Sequence, residues 1–413
     1  MTTRRIRSRG RLGQRDVLLT LLASGRIDRR EFLRRFGAGG VLLLGGPALL
    51  AACGGDVAAT TAGGGGAATT AGGGGGGVLV VDNWIEYIDL DDNGDSPTIL
   101  RFTEQTGIEV DYMEGINSNE DWFGRYQPQL ASGDPIGIDI AVLTDYMAAR
   151  MIRLDFLETI DHANVPNMEN LAPALQSPDF DPNRDYTLPW QSGFTGIAYD
   201  VDQTGRELTS LQDLLDPAFA GKVGLLEGYA DTVPLFLLME GKDPQSASVD
   251  DYVAVTDRIA ESISSGQVRQ VYGNDYLDAL INGDLAVSLG WSGDIVASQE
   301  DTPNLHFAFP EEGFMIWNDN MLIPKGAANK ANAEAWMNFY YDPVNAAELA
   351  AYIWYVSPVV GAKEAVADIA PELADSELIF PTEATLGNAH IVRSFTEEEE
   401  ATVSQAVSAA TGV

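Results

Sequence analysis

Val78-Leu79-Val80-Val81-Asp82-Asn83-Trp84, then Ser96-Pro97-Thr98 through Thr106-Gly107, then Ile108-Glu109-Val110, is the stretch that decides the fold. Four apolar residues in a row read as a buried strand that ends at Asp82-Asn83-Trp84. Ser96 and Pro97 suit the N-cap and first turn of a helix, because the serine hydroxyl can accept an orphan amide and proline has none to lose. The spacing predicts a helix over Thr98–Thr106, closed by Gly107, and a second strand from Ile108. The alternation continues. Residues 137–143 are apolar apart from Asp139, 145–154 read as helix, 211–219, 249–265 and 276–282 as helices, and 222–226 and 285–290 as strands. After Pro324, helices are expected over 329–341 and 343–352, and Thr396 with Glu399 forms a capping box for a last amphipathic helix. Interleaved strands and helices place the chain in the α/β class, with a parallel or mixed sheet covered by helices. The folded part, about 335 residues, exceeds what one hydrophobic core organises, so two lobes are expected.

Upstream, Asp28-Arg29-Arg30-Glu31-Phe32-Leu33 precedes a short apolar run, Phe36 to Leu49, diluted by five glycines and Pro47. A membrane-spanning helix needs about 20 apolar residues, so this run reads as a removable export signal of the twin-arginine type. Leu50-Ala51-Ala52-Cys53 resembles the lipobox of bacterial lipoproteins, in which the cysteine is lipidated and becomes the first residue. Residues 1–52 are then the signal peptide. Residues 53–77 are the lipidated Cys53 and a Gly/Ala/Thr tether with nothing to bury. No structure is expected in residues 1–27. The mature protein is expected outside the cell, held on the outer face of the cytoplasmic membrane through this lipid alone. Of 25 basic and 61 acidic side chains, the first 52 residues hold 11 and 3, leaving a mature charge near −44. That charge excludes nucleic acid as a partner, since phosphate binding runs on Lys and Arg, and it draws cations toward the surface. With its single cysteine spent on lipid, the chain has no disulfide, and the fold rests on its cores.

Enzyme readings fail in turn. His162, His306 and His390 stand in unrelated contexts, so neither a zinc site nor a Cys–His pair is expected. Gly290-Trp291-Ser292-Gly293 resembles a nucleophile elbow, but Asp294 replaces the final glycine. Asp89, Asp91, Asn93 and Gly94 match the opening of a calcium loop, yet Pro97 and Leu100 stand where its later ligands belong. Carboxylates placed ahead of a helix N-terminus explain that loop without a metal. Neither metal nor cofactor is expected, and no enzyme.

What remains is a set of aromatic residues beside acids. Trp84 and Tyr87 follow the first strand, Thr144-Asp145-Tyr146 another. Trp190 lies in Leu-Pro-Trp-Gln-Ser-Gly, Asp231 after Glu227-Gly-Tyr-Ala, Trp291 after a further strand, then Trp317, Asp319 and Tyr355. Ligands of open α/β sheets bind past strand C-termini, aromatic faces attract cations, and carboxylates accept from ammonium groups. Here the chain resembles the periplasmic spermidine/putrescine-binding proteins of ABC transporters, from Val78 to about His390. The resemblance rests on Asn-Trp-x-Glu-Tyr (83–87), Phe-Thr-Glu-Gln-Thr-Gly-Ile-x-Val (102–110), Asp-Pro-Asn-x-Asp-Tyr-x-x-Pro (181–189) and, most specific, Pro-Glu-Glu-Gly-x-x-x-Trp-x-Asp (310–319).

The resemblance implies a two-lobed periplasmic-binding-protein fold of type II, with two crossovers and a cleft between the lobes. Lobe 1 would comprise 78–193 and 318–362, lobe 2 198–314 and 366–413. Trp84, Tyr87, Thr144, Tyr146, Trp291, Trp317 and Tyr355 would line an aromatic slot, with Asp319 anchoring one amine and Asp231 another. The implied function is capture of a linear polyamine, as a monomer, for an ABC permease and its ATPase. Three departures concern the amine-counting groups. Ile85 replaces a hydroxyl residue, the acids near Glu227 and Asp231 are spaced differently, and the polar end-contact falls on either Asn388 or His390. A quaternary amine in the same fold, or a surface protein outside transport, are the alternatives.

Overall fold

The computed structural model describes residues 4–7 and 77–412, apart from 92 and 300. The twin arginines, Cys53 and nearly all of the tether lie outside the described residues. One mixed sheet of eleven strands runs through the described part. Its order is β1 (Arg4–Arg7), β3 (Val110–Ile116), β2 (Leu79–Trp84), β4 (Ile140–Thr144), β10 (Phe314–Leu322), β5 (Thr187–Asp200), β8 (Val287–Trp291), β6 (Val223–Leu226) and β7 (Val268–Tyr272). β9 (Leu305–Ala308) adds to β5, and β11 (Ala389–His390) to β10.

The opening stretch folds as its residues dictate. β2 is followed by α1 (Pro97–Thr106), whose first turn is capped by Ser96 Oγ accepting from Ile99 N and whose end is Gly107 at φ 76°. β3 then lies parallel to β2. Asp89 in the intervening loop accepts from Ser96 Oγ at 2.7 Å and from Thr98 Oγ1 at 2.9 Å. Its oxygens thus cap the helix, and the loop is used as a helix N-terminus, as its composition suggests. Among the described residues no cluster of His, Cys, Asp or Glu is arranged to hold a metal.

Two hydrophobic clusters hang from this sheet. One gathers α1, α2 (Asn119–Ser132), α3 (Asp145–Arg153), α8 (Lys330–Tyr340), α9 (Pro343–Ile353) and α10 (Ala362–Ile369) around β2, β3 and β4. The other gathers α4 (Thr232–Met239), α5 (Val249–Ser264), α6 (Tyr276–Ile281), α7 (Ser292–Ser298) and α11 (Glu397–Thr411) around β6, β7 and β8. This is the two-lobed type II fold. β5 and β10 join the lobes. Thr187 and Leu188 pair with Leu322 and Met321 on the first-lobe side, while Thr195–Tyr199 pair with Val287–Trp291 on the second. All fourteen residues of β5 are buried, because both of its faces are covered where the lobes meet. A third passage, outside the main strands, returns the chain to the second lobe, where α11 packs on α5.

Several expectations shift. The helix expected over 211–219 is two single 3₁₀ turns, Leu211–Leu215 and Pro217–Phe219, since the residue before a proline is driven out of helical conformation and Asp216 stands at φ −64°, ψ 121°. The last segment of the second lobe was expected to start at 366. Instead Ala362, Val366 and Ile369 form one apolar stripe of α10 and pack into the first cluster. Arg4–Arg7, where no structure was expected, pairs antiparallel with Asp111–Glu114 of β3, which is otherwise the sheet's open edge and accepts an extended segment. No helix among the described residues is long and apolar enough to cross a membrane.

Candidate functional site

The C-terminal ends of the parallel strands and the middle of the crossover strands converge between the lobes. Trp84 closes β2, Thr144 closes β4, Trp291 closes β8, and Trp317 and Asp319 stand two apart on one face of β10. A cavity of about 820 Å³ opens there. All nine residues singled out from the sequence line it: Trp84, Tyr87, Thr144, Tyr146, Asp231, Trp291, Trp317, Asp319 and Tyr355.

The aromatic walls are fixed by contacts to one another and to the backbone. Trp84 donates its indole N–H to Val142 O at 3.0 Å and meets Trp291 edge-on, ring centres 6.3 Å apart. Tyr87 and Tyr355 meet edge-on at 5.0 Å, and Trp317 lies 5.8 Å from Tyr355. The residues just before the two tyrosines are unusual. Glu86 has φ 59° and Trp354 φ 63°, a left-handed conformation that costs a non-glycine residue about 1–3 kcal/mol and gathers at functional sites. Two glycines make room for the Tyr355 ring. A Cβ on Gly293 would come within 2.2 Å of it, and one on Gly193 within 2.5 Å of Trp317.

Three carboxylates stand among these rings, Asp319 buried and Asp231 and Asp294 half-buried. Asp319 accepts from Thr144 Oγ1 at 2.8 Å. Burial pushes its pKa up to about 7 against the pull of the Thr144 and Tyr87 hydroxyls, and the nearby Asp145 and Asp231 add to the rise. Asp231 accepts from Thr195 Oγ1 at 2.6 Å and from the Trp291 indole at 3.3 Å. Burial raises its pKa as well. The third, Asp294, was not expected. Tyr355 donates to one of its oxygens at 2.7 Å and Tyr276 to the other at 3.0 Å, and burial lifts its pKa to about 6. It stands in the first turn of α7, three residues past Trp291, much as Asp145 stands in the first turn of α3 past Thr144. That equivalence was the available signal, and the nucleophile-elbow comparison hid it. Ser292 is not a nucleophile: it is fully buried and its Oγ accepts from Phe194 N at 3.3 Å.

Arginines also line the cavity but are engaged by protein groups. Arg184 donates to Leu175 O and Asn320 Oδ1, Arg153 to Glu400, and Arg393 to Glu399. The inner slot therefore has the chemistry of a cation site, with apolar faces for methylenes and carboxylates for ammonium groups.

Other sequence candidates fall outside it. Trp190 is core, stacked on Trp336 with Tyr340 beside it. Glu227 is not on the cavity wall. Its carboxyl turns toward Ser118, and burial raises its pKa. Asn388 donates to Pro310 O at 3.3 Å, and His390 pairs with Asp243 at 3.0 Å, so neither reaches the cavity wall.

Residues 98–380 match the family described as bacterial extracellular solute-binding protein. The chain is 28% identical over 309 residues to the spermidine/putrescine-binding periplasmic protein 1 of Haemophilus influenzae, covering 74% of this chain and 81% of that one. It is 27% identical over 322 residues to a putrescine-binding periplasmic protein of Escherichia coli, covering 73% and 83%. Among solved structures, the spermidine/putrescine ABC transporter substrate-binding protein of Streptococcus pneumoniae is similar, with 26% identity, a TM-score of 0.65 and coverage of 80% of this chain and 98% of that one. A lipoprotein of Treponema pallidum, 20% identical, shares the fold at a TM-score of 0.66 over 80% of this chain and 99% of that one. With well over half its length matched to the family, the chain belongs to the bacterial extracellular solute-binding proteins, a family that binds its solutes rather than converting them.

Proposed function

We propose that this protein is the lipid-anchored receptor of an ABC importer and that it captures a linear polyamine of the spermidine/putrescine kind. The observation that carries the reading is the group of three carboxylates, Asp319 buried and Asp231 and Asp294 half-buried, among edge-on aromatic rings in one interlobe cavity. Its relatives named for spermidine and putrescine support the same ligand class. Methylenes would lie between Trp84, Trp291, Trp317 and Tyr355, and ammonium groups would meet the carboxylates. Closure of the lobes about β5 and β10 would remove the ligand from water. Glu227 is set aside as second anchor in favour of Asp231. Lipidation of Cys53 would keep the receptor beside its permease, and Cys53→Ser should move it from the membrane to the soluble fraction.

The test is a thermal-shift panel on the mature protein with putrescine, spermidine, spermine, choline and betaine. A ligand at about 100 times its Kd adds roughly 2.7 kcal/mol of native-state stability, an easily read rise in midpoint. A rise with polyamines alone is expected. A rise with choline or betaine alone would replace the polyamine by a quaternary amine, and no rise with any of them would discard the cation reading.

A further inference from the structure

β5 carries one hydroxyl at the point where both walls of the slot and one of its acids meet. Thr195 is fully buried, and in the sheet it stands in register with Met315 of β10 on one side and Trp291 of β8 on the other. Its Oγ1 donates to Asp231 Oδ1 at 2.6 Å and accepts the Trp317 indole N–H at 3.0 Å. The Trp291 indole N–H, at 3.3 Å, ends on the same Asp231 oxygen. Two tryptophans from different strands are thus tied to one carboxylate, one directly and one through Thr195. A hydroxyl is the one small group that serves here, because it must donate and accept at once. Valine would fill the same volume and leave the Trp317 N–H and the Asp231 oxygen without this partner.

We propose that Thr195 is a positioning residue for ligand capture: it holds the Asp231 carboxyl in place at the slot and sets the spacing of Trp317 and Trp291. The proposal rests on the cation-binding reading but adds a role for a side chain that is absent from the cavity wall. With the Thr195 bond gone, Asp231 would hold its proton to higher pH, since a hydrogen bond to the ionised form is what lowers a buried carboxyl's pKa. The ionisable groups whose fields Asp231 shares are Asp319 of β10, Tyr146 of α3 and Tyr276 of α6.

The experiment compares wild type, Thr195→Val and Thr195→Ser as mature proteins. Without ligand, the Asp231 carboxyl is titrated by carbon NMR, its signal assigned by loss in Asp231→Asn. With spermidine as the probe, affinity is measured from pH 6 to 9. Thr195→Val should raise the Asp231 midpoint by about one pH unit or more. It should weaken spermidine by about tenfold near neutrality, with the deficit shrinking as pH rises, and Thr195→Ser should restore both. A midpoint unchanged in Thr195→Val, a deficit independent of pH, or a serine variant as poor as valine would overturn the proposal. Should the valine variant not fold, Thr195→Ala removes the same hydroxyl and is read identically. A wild type that ignores spermidine would sink the polyamine reading alone, because the ligand-free titration still judges Thr195.

Discussion

Asp319 is buried in the middle of a crossover strand with Thr144 donating to it across the β4–β10 pairing, and among the described residues no ion pair to it is seen. An ammonium ligand would supply one. Asp319→Asn keeps the shape and a Thr144 contact while removing the charge. The expected result is a 10- to 100-fold loss of polyamine affinity, the equivalent of a charged hydrogen bond worth about 1.5–3 kcal/mol. The empty protein should be as stable as wild type or more so, since a buried charge is gone. Calorimetry and a melting curve check both halves, and unchanged affinity would remove Asp319 from the site. At this scale the sequence was informative where an aromatic and an acid stood together after a strand. Asp319 two residues after Trp317 could be read directly. Asp294 could not, because its neighbours Gly293 and Ser292 suggested an elbow, whereas the glycine's actual use is to admit the Tyr355 ring from sixty residues away. Thr195 was invisible for a related reason: its significance comes from Asp231 and Trp317, distant in the chain.

Among the elements, those with local punctuation were legible and those defined by the junction of the lobes were not. Ser96-Pro97 with Gly107 marked α1, and Thr396 with Glu399 marked α11, whose reciprocal capping bonds are both present. α2 was missed although Ser118 caps it, because Gly124 and Pro128 lie inside it and read as breakers. β5 was missed because burial on both faces erases the period-two pattern that identifies a strand. The contact between α3 and α11 also belongs to this scale. Arg150 bridges Glu120 of its own lobe, at 2.7 Å, to Glu400 of the other, at 2.8 Å. Arg153 pairs with the same Glu400, and Tyr229 donates to it at 3.0 Å. The Glu400 side chain is only 7% exposed, and breaking such a pair typically speeds dissociation rather than slowing association. Glu400→Gln keeps the Tyr229 bond and removes the charge. Spermidine release measured by stopped flow should quicken by about tenfold or more, with the association rate little changed. Release at the wild-type rate would mean that this contact does not hold the lobes together.

For the whole molecule, the two-lobed plan followed from length and from strand–helix alternation, but the traffic between lobes did not: α10 stays with the first core and only the segment after it returns. The distribution of charge matters more at this scale than its total. Many acids are exposed, but Asp231, Asp294 and Asp319 are gathered in the cleft, and burial raises the pKa of each, Asp319 to about 7 and Asp294 to about 6. A carboxyl whose folded pKa is raised binds more protons in the native state than in the unfolded one, so its contribution is full below the unfolded value near 4 and lost as pH rises through the folded value. The empty protein should therefore melt at progressively lower temperature from pH 5 to pH 8. Within this window the loss attributable to Asp319 and Asp294 is at most about 3 and 1 kcal/mol. Asp251 and Glu399, with pKa lowered by their partners, act in the opposite sense below about pH 4 and leave this window alone. An alkyl ammonium stays charged throughout it. Bound polyamine should then stabilise the protein more at pH 8 than at pH 5, and its affinity should climb as pH rises from 5.5 to 7.5. Protons should be released on binding, seen as a calorimetric enthalpy that depends on the buffer. Asp319→Asn should flatten both profiles, which separates the cleft from general repulsion among surface acids. A wild-type affinity independent of pH across that range would mean that the cleft carboxylates are already ionised before the ligand arrives.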